Sequence, residues 1–319
     1  MESLMVDTYS SELDSAISHV VCRWPNLQEL ICPNVTLSMD AISHLSSVSN
    51  LKRLAFETKM GIIQDISHLD SVLVFSNLTN LNIRSGPINT IIPLLRCIRL
   101  PAIETICVST SGYISRRAIQ ACCAAVREAC PSNGLTCFQL CGEKEEDGVR
   151  PDDEALVCIT LKDLHPCTAF AELRELYVNF DCPVSLTDAD LLELVSPRME
   201  SFVINERGWQ IAVDGSGITL SGLVQLLRRC PSLSYLCLAI DTRTFTEIPE
   251  GLDVSFPPQR QLNINLLDSY ILPDFVPGLV SVFTAFGQDS SMLVVWELGR
   301  WTVGGEEFRT LWERVLDEL

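Results

Sequence analysis

Hydrophobic residues recur along this chain in triplets, in which the second residue lies three positions and the third five positions after the first. This spacing fits a residue that enters a short strand, followed by two alternate positions on one side of that strand. Repetition of one strand-forming unit predicts a repeat architecture. The ten copies are Leu27/Leu30/Cys32, Leu51/Leu54/Phe56, Leu78/Leu81/Ile83, Ile103/Ile106/Val108, Leu135/Phe138/Leu140, Leu173/Leu176/Val178, Met199/Phe202/Ile204, Leu233/Leu236/Leu238, Gln259/Leu262/Ile264 and Leu293/Trp296/Leu298.

The segments between the triplets carry apolar residues at helical spacing. Proline follows Trp24, Cys130 and Cys230 shortly before a triplet, where it cannot extend a helix and favours extended backbone. An alternation of strand and helix predicts an α/β fold. We expect a leucine-rich-repeat-like solenoid of about ten irregular repeats, with a curved parallel sheet and helices on the convex side. The clearest predicted helices cover Ser38–Val48, Tyr113–Cys130, Thr187–Val195, Thr219–Arg229 and Glu306–Asp317.

Successive triplets start 24 to 38 residues apart, so the longer repeats require insertions. The charged segment 142–153 and the proline-rich segment 242–259 are the two expected insertions. Neither separates halves of different composition, and we therefore expect one domain over residues 1–319. Within it we predict a helical cap over 1–23, repeats over 24–300 and a capping helix over 305–319, because the ends of a solenoid need a polar outer face.

Charge restricts the classes of partner. The chain has 41 acidic and 23 basic residues, for a net charge of −18, and no cluster of Lys and Arg. Binding to nucleic acid requires such a basic footprint, and we expect none. Acidity of this degree favours basic partners.

Two features bear on localisation. The N-terminal segment lacks a basic region followed by an apolar one, and no apolar run approaches the roughly 18–20 residues that span a bilayer. We therefore expect no membrane partner. Many of the 14 cysteines occupy apolar positions of predicted helices and strands, where Cys behaves as a small hydrophobe. Reduced thiols indicate a cytoplasmic or nuclear protein.

Catalytic and metal-binding motifs are not apparent in the sequence. It contains no CxxC pair, no GxSxG nucleophile turn and no HExxH helix, and we expect neither an enzyme nor a cofactor. Cys137 and Cys141 share one side of a predicted strand and are a minor candidate for a metal or disulfide site. Histidines at 19, 44, 68 and 165 leave open an enzyme with a cryptic Cys/His site, because a catalytic triad is defined by geometry and not by order in the chain.

The residues that alternate with the inward triplet positions face the concave side of the predicted sheet. Solenoids present such surfaces to partners, and Arg and aromatic residues are common interface anchors. The predicted protein-binding residues are Arg53, Glu57, Asn82, Arg84, Glu175, Tyr177, Asn179, Asn205, Tyr235, Asn263 and Asn265.

The triplets resemble the irregular leucine-rich repeats of fungal F-box proteins, especially those of basidiomycetes. The same resemblance is carried by a succession of helix, corner and strand in the segments LTDADLLELVSPRMESFVINERGWQ and GITLSGLVQLLRRCPSLSYLCL. The resemblance covers Trp24 to Leu319. It implies a non-enzymatic protein-interaction module, similar to the substrate-recognition repeats of F-box-type ubiquitin ligase adaptors. No LPxE-like F-box start precedes Leu27, so a Skp-type adaptor is an expected partner only if an unrecognised F-box is present. The other interpretation is a scaffold remnant without a dedicated partner.

Overall fold

A computed structural model of the chain describes residues 2–6, 11–59, 72–111, 114–131, 134–143, 158–180, 182–206, 217–241, 262–267, 269, 271–285, 293–294 and 305–319. The described residues form a mixed α/β fold built on parallel strands, as the alternation of strand and helix predicts. They group into two compact units. Unit 1 comprises Met1–Ala155 and Lys162–Leu173, and unit 2 comprises Leu156–Leu161 and Arg174–Leu319. The expectation of a single domain over 1–319 stays a prediction.

The strands are short. They are β1 Glu2–Met5, β2 Leu27–Thr36, β3 Arg53–Thr58, β4 Leu73–Val74, β5 Asn80–Ser85, β6 Ile98–Arg99, β7 Thr105–Ser111, β8 Cys137–Glu143, β9 Ile159–Thr160, β10 Glu175–Asn179, β11 Val184–Ser185, β12 Ser201–Ile204, β13 Tyr235–Cys237, β14 Asn263–Asn265 and β15 Leu293–Val294.

Helices connect most of these strands. They are α1 Ser11–Val21, α2 Met39–Ser47, α3 Ile91–Cys97, α4 Arg116–Ala129, α5 Leu161–Leu164, α6 Asp188–Leu194, α7 Leu220–Arg229, α8 Val276–Ala285 and α9 Gly305–Glu318, with short 3₁₀ turns at Ile88–Thr90, His165–Ala169 and Pro273–Phe275.

Unit 1 contains a parallel sheet in the order β1-β2-β3-β5-β7-β8. Equivalent positions of successive triplets pair directly, as Leu54, Leu81 and Ile106 do. The register between β2 and β3 is interrupted between Cys32 and Thr36, where β2 holds extra residues. A separate two-stranded parallel sheet joins β4 to β6.

Unit 2 repeats this arrangement with shorter strands. Its parallel sheet has the order β10-β12-β13-β14-β15, and Leu176, Phe202 and Leu236 occupy paired positions. A second small parallel sheet joins β9 to β11. In both units, direct pairing of equivalent triplet positions places the same side of every strand toward the core.

Burial of the triplets supplies the core. Every described triplet residue is buried, from Leu27 to Ile264. Apolar helix residues such as Ile119, Val126 and Leu223 are buried as well. The main stabilising contribution of each triplet is the burial of apolar surface. An aromatic side chain removes about 150–250 Å² from water, and an aliphatic side chain is removed from water as a whole.

Local hydrogen bonds define where the helices begin and end. The side chains of Ser38, Ser115, Thr187 and Thr219 each accept a backbone N–H three residues later. Thr187 and Asp190 complete a reciprocal capping box. Cys130 and Cys230 are the C-cap residues of helices α4 and α7, and each precedes a proline.

Some elements differ from the expectations. Strand β1 precedes α1 in the segment where only a helical cap is predicted. The sequence does not predict this strand, because its four residues give too short a pattern. The segments 144–153 and 242–259 lie outside the described residues, as do Gln259, Trp296 and Leu298 of the last two triplets. In the described part of the chain, no helix has both the length and the hydropathy that a bilayer crossing requires.

Helix α9 closes the core of unit 2. It packs against α8, and Trp312 is 1% exposed. The indole Nε1 of Trp312 donates a hydrogen bond of 3.1 Å to the backbone oxygen of Ser269. The amphipathic helix predicted over Glu306–Asp317 is therefore present, with Trp312 and Val315 buried, and its role as a terminal cap stays a prediction.

Candidate functional site

In unit 1 the outward residues of the strands form cross-strand rows. One row runs Glu29–Arg53–Asn80–Thr105–Cys137, and a second runs Ile31–Ala55–Asn82–Cys107–Gln139. We call the second the middle row of unit 1. Arg53 and Asn82 are exposed, and Glu57 and Arg84 are half-buried in a third row. Direct pairing of equivalent positions therefore gathers these four predicted residues on one face.

Two of these residues have defined polar partners. Arg53 Nη1 lies 3.7 Å from Glu29 Oε1 on the neighbouring strand. Arg84 Nη1 donates a 2.6 Å hydrogen bond to Asn34 Oδ1. Asn34 lies on β2 and Arg84 on β5, so that β3 and β4 come between them in the sequence. The irregular stretch of β2 that contains Asn34 makes this contact possible. Asn34 is a member of this face that the triplet spacing does not reveal.

In unit 2 the predicted residues belong to two rows. Glu175, Ser201, Tyr235 and Asn263 form one row. Tyr177, Val203, Cys237 and Asn265 form the next, which we call the middle row of unit 2. Glu175 and Asn263 are exposed, and both tyrosines are half-buried.

The middle row of unit 2 is largely closed to solvent. Val203 is 1% exposed, and Cys237 is fully buried. This row thus differs from the middle row of unit 1, where Asn82 is exposed and Cys107 and Gln139 are half-buried. The accessible polar groups of unit 2 lie beside this closed row.

A chain of hydrogen bonds is centred on Tyr177. Its hydroxyl donates to Glu206 Oε2 at 2.5 Å and accepts from Asn179 Nδ2 at 3.0 Å. Asn179 is only 9% exposed, and its Oδ1 is buried without a hydrogen-bond partner. Glu206 follows β12 directly and reaches back to β10. Sequence spacing does not predict its role, because the contact depends on how the chain turns after Asn205.

Tyr235 lies within the electrostatic influence of the same carboxylate. Burial raises the pKa of its phenol, and Cys237 and Glu206 raise it further. We refer to Tyr177, Asn179, Glu206 and Tyr235 as the tyrosine cluster. It combines two phenol rings, one carboxylate and one carboxamide.

Strand alternation predicts Asn205 and Asn265 on the exposed face, whereas the structure places both side chains inside. Asn205 is fully buried at φ 53°, where its Nδ2 donates to the Cys182 carbonyl at 2.5 Å and its Oδ1 accepts from Phe180 N at 3.2 Å. Asn265 is 6% exposed, and its Oδ1 accepts from Leu267 N. Both satisfy backbone groups at strand ends, so their carboxamides are not available to a partner.

Several thiols have a raised pKa. Burial raises the pKa of Cys32 and Cys130 to about 12 each. A hydrogen bond with Cys123, followed by burial, raises the pKa of Cys167. A nucleophilic cysteine needs the opposite shift, because the thiolate is the reactive species.

The minor candidate pair, Cys137 and Cys141, lies on the outward side of β8, and neither forms a disulfide bond. Cys137 is buried and Cys141 half-buried. Within the described ranges, no group of three His, Cys, Asp or Glu side chains is arranged to hold a metal ion. His68 lies outside the described residues.

No protein-family model matches this sequence, and no curated protein shows significant similarity to it.

Proposed function

We propose that this chain is a non-enzymatic protein-interaction module of the leucine-rich-repeat type, a solenoid that binds a partner through the outward faces of its strands. The observation that carries the proposal is the register. Direct pairing gathers Arg53, Asn82 and Arg84 on one strand face of unit 1, and Glu175, Tyr235 and Asn263 in one row of unit 2.

The chemistry of these rows suits recognition of a protein. Hydrogen-bonding and aromatic side chains stand on regular backbone, which positions them with little loss of entropy on binding. The raised pKa values of Cys32, Cys130 and Cys167 support a non-enzymatic role, because they keep these thiols protonated at neutral pH. The resemblance to F-box repeats supports substrate recognition within a ubiquitin ligase as the biological setting.

Affinity purification with quantitative mass spectrometry tests the proposal. Asn82→Arg and Asn263→Arg place a long cation on each exposed strand face and should reduce recovery of a specific partner about tenfold or more. Ser43→Arg on α2 and Gln225→Arg on α7 add the same charge to exposed helix positions and should leave recovery unchanged.

Equal recovery with all four variants would contradict binding through the strand faces. Recovery of a Skp-type adaptor with the partner would place the chain in a ubiquitin ligase. If no protein is recovered more strongly with the wild-type chain than with the strand-face variants, the result would favour the scaffold remnant.

A further inference from the structure

The tyrosine cluster contains a buried acceptor that the fold leaves unused. Tyr177 has one hydroxyl proton, and it donates that proton to Glu206. The hydroxyl can therefore only accept from Asn179, which fixes the carboxamide with its nitrogen toward Tyr177 and its oxygen turned away. That oxygen, Oδ1, has no hydrogen-bond partner although the residue is more than nine-tenths buried. Such groups are rare in folded proteins, because an unpaired buried acceptor loses its hydration without compensation.

Acceptors dominate the rest of the cluster. Glu206 contributes a carboxylate that uses Oε2 to receive the proton of Tyr177. Glu175 adds a second carboxylate, exposed on the same strand face as Tyr177. The phenol of Tyr235 carries a raised pKa to which Glu206 contributes, so the negative charge of Glu206 acts at both tyrosines. A ligand for this site must supply several donors and a positive charge.

An arginine side chain meets these requirements better than a lysine side chain. A guanidinium presents five N–H donors in a planar fork that matches a carboxylate, and its flat surface stacks on aromatic rings. An ammonium is more strongly hydrated and offers three donors around a point charge. A guanidinium has enough N–H groups to donate to Asn179 Oδ1 and also to engage the Glu206 carboxylate in a planar, two-bond contact.

We propose that Tyr177, Asn179, Glu206 and Tyr235 form a recognition site for an arginine side chain in a basic segment of the protein partner. The proposal rests on the proposed interaction function and specifies the chemistry of its partner. The acidic balance of the chain, with a net charge of −18, favours the approach of such a segment.

Titration of the purified full chain with Nα-acetyl-arginine methylamide, followed by NMR, tests this site without a known partner. The side-chain amide signal of Asn179 and the ring signals of Tyr177 and Tyr235 should shift together and saturate. The neutral isostere Nα-acetyl-citrulline methylamide should cause no saturable shift, and Nα-acetyl-lysine methylamide should bind about threefold or more weakly. Equal responses to arginine and citrulline would overturn the proposal, as would equal affinities for arginine and lysine.

Matched variants separate a specific site from general attraction to an acidic surface. Glu206→Gln should weaken binding about tenfold, because it removes a charge-assisted hydrogen bond. Glu193→Gln removes the same charge from the exposed surface of α6 and should leave the affinity unchanged. If the two variants weaken binding equally, the attraction is non-specific and the site does not exist.

Asn179→Leu distinguishes a ligand-binding carboxamide from a merely structural one. Leu removes the unsatisfied Oδ1 acceptor but also the Nδ2 bond to Tyr177, and these two effects on stability oppose each other. The melting temperature should therefore change little while arginine binding falls. A lower melting temperature with unchanged binding would assign Asn179 to the fold and overturn the proposal. Because this test needs no partner, its failure leaves the proposed interaction function to be judged by the purification experiment.

Discussion

The two units follow one hydrophobic pattern and differ in what they present on the other side of their strands. The middle row of unit 1 contains exposed Asn82 and half-buried Cys107, whereas the middle row of unit 2 contains buried Val203 and Cys237. The inward triplets are buried in both. The triplet therefore specifies the core of each repeat and leaves the outward face free to differ between units.

A second difference lies at the carboxyl ends of the strands, where each unit buries polar residues. Unit 1 uses hydroxyls at the paired positions Thr58, Ser85 and Thr110. Ser85 bonds Thr90 and the Pro87 carbonyl, but the hydroxyl of Thr110 has no partner. Unit 2 uses carboxamides: Asn205 bonds the backbone of Phe180 and Cys182, and Asn265 accepts from Leu267 N. We expect unit 2 to depend more strongly on single polar residues than unit 1.

The largest effect should come from a glycine in unit 2. A Cβ at Gly222 would lie 2.0 Å from Asp188 Oδ1, and that carboxylate accepts from Thr219 N and Oγ1 at 2.7 Å each. Ala usually stabilises a helix relative to Gly, but Gly222→Ala should destabilise unit 2 by about 2–4 kcal/mol because Asp188 must move and lose both bonds.

Chemical denaturation measures the change, and Gly86→Ala in unit 1 is the matched control. Open space surrounds the position of a Cβ there, so its effect should stay within about 0.5 kcal/mol. A stabilised Gly222→Ala variant would show that Asp188 is not held as described.

The next largest effect concerns the polar residues at the strand ends. Asn205→Ala removes two hydrogen bonds and leaves a non-glycine residue at φ 53°, so we expect a loss of about 2–4 kcal/mol. Thr110→Val in unit 1 replaces an unpartnered hydroxyl with a methyl group of similar size. It should leave stability unchanged or raise it by up to about 1 kcal/mol.

Denaturation midpoints of the two variants test the contrast directly. Similar losses in both would mean that the hydroxyls of unit 1 matter as much as the carboxamides of unit 2. The variant Asn205→Gly retains access to positive φ and separates the backbone contribution from the two hydrogen bonds.

Alkaline pH should weaken unit 1. Cys32 and Cys130 of unit 1 have pKa values of about 12 in the fold, against an ordinary value of 9.0. The unfolded thiols ionise first, so their stabilisation is complete below pH 9 and decreases as the pH rises from 9 toward 12. Each thiol should remove about 1 kcal/mol per pH unit in that window.

Limited digestion with subtilisin at pH 8 and pH 10, with fragments identified by mass spectrometry, locates the weakened region. New cleavage should appear within unit 1 at the higher pH. Unchanged cleavage within unit 1 at pH 10 would contradict the prediction, and Cys130→Ala should reduce the sensitivity of unit 1 to pH.

The smallest effects should come from exposed ion pairs in both units. Arg53 and Glu29 lie 3.7 Å apart in unit 1, and Arg174 and Glu200 lie 2.9 Å apart in unit 2. Solvent screens both pairs, so Arg53→Met and Arg174→Met should each change the free energy of unfolding by less than about 0.5 kcal/mol. A larger change in either melting curve would indicate that the side chain contributes by packing.

The sequence predicts the inward half of this fold well, because triplet spacing and helical spacing are local properties. Burial of Leu54, Phe138 and Leu236 follows from their positions alone. Strand β1 escapes prediction because its four residues alternate too briefly, and the irregular stretch of β2 around Asn34 interrupts the strand period.

The candidate site is less predictable. Tyr177 and Tyr235 follow from alternation along their strands, whereas Glu206 joins them through the path that the chain takes after β12. Alternation also assigns Asn205 and Asn265 to the exposed face, although backbone groups at the strand ends draw both carboxamides inward. Strand alternation does not describe a residue once the strand has ended.

The bond between Trp312 and Ser269 has a consequence for the order in which the chain becomes structured during synthesis. The indole and the carbonyl that it binds are 43 residues apart, and the ring is almost wholly enclosed. Until α9 has left the ribosome, this part of unit 2 lacks the Trp312 ring and the donor that this ring supplies to the Ser269 carbonyl. The Ser269 carbonyl can therefore receive this hydrogen bond only after translation has reached the end of the chain that holds α9.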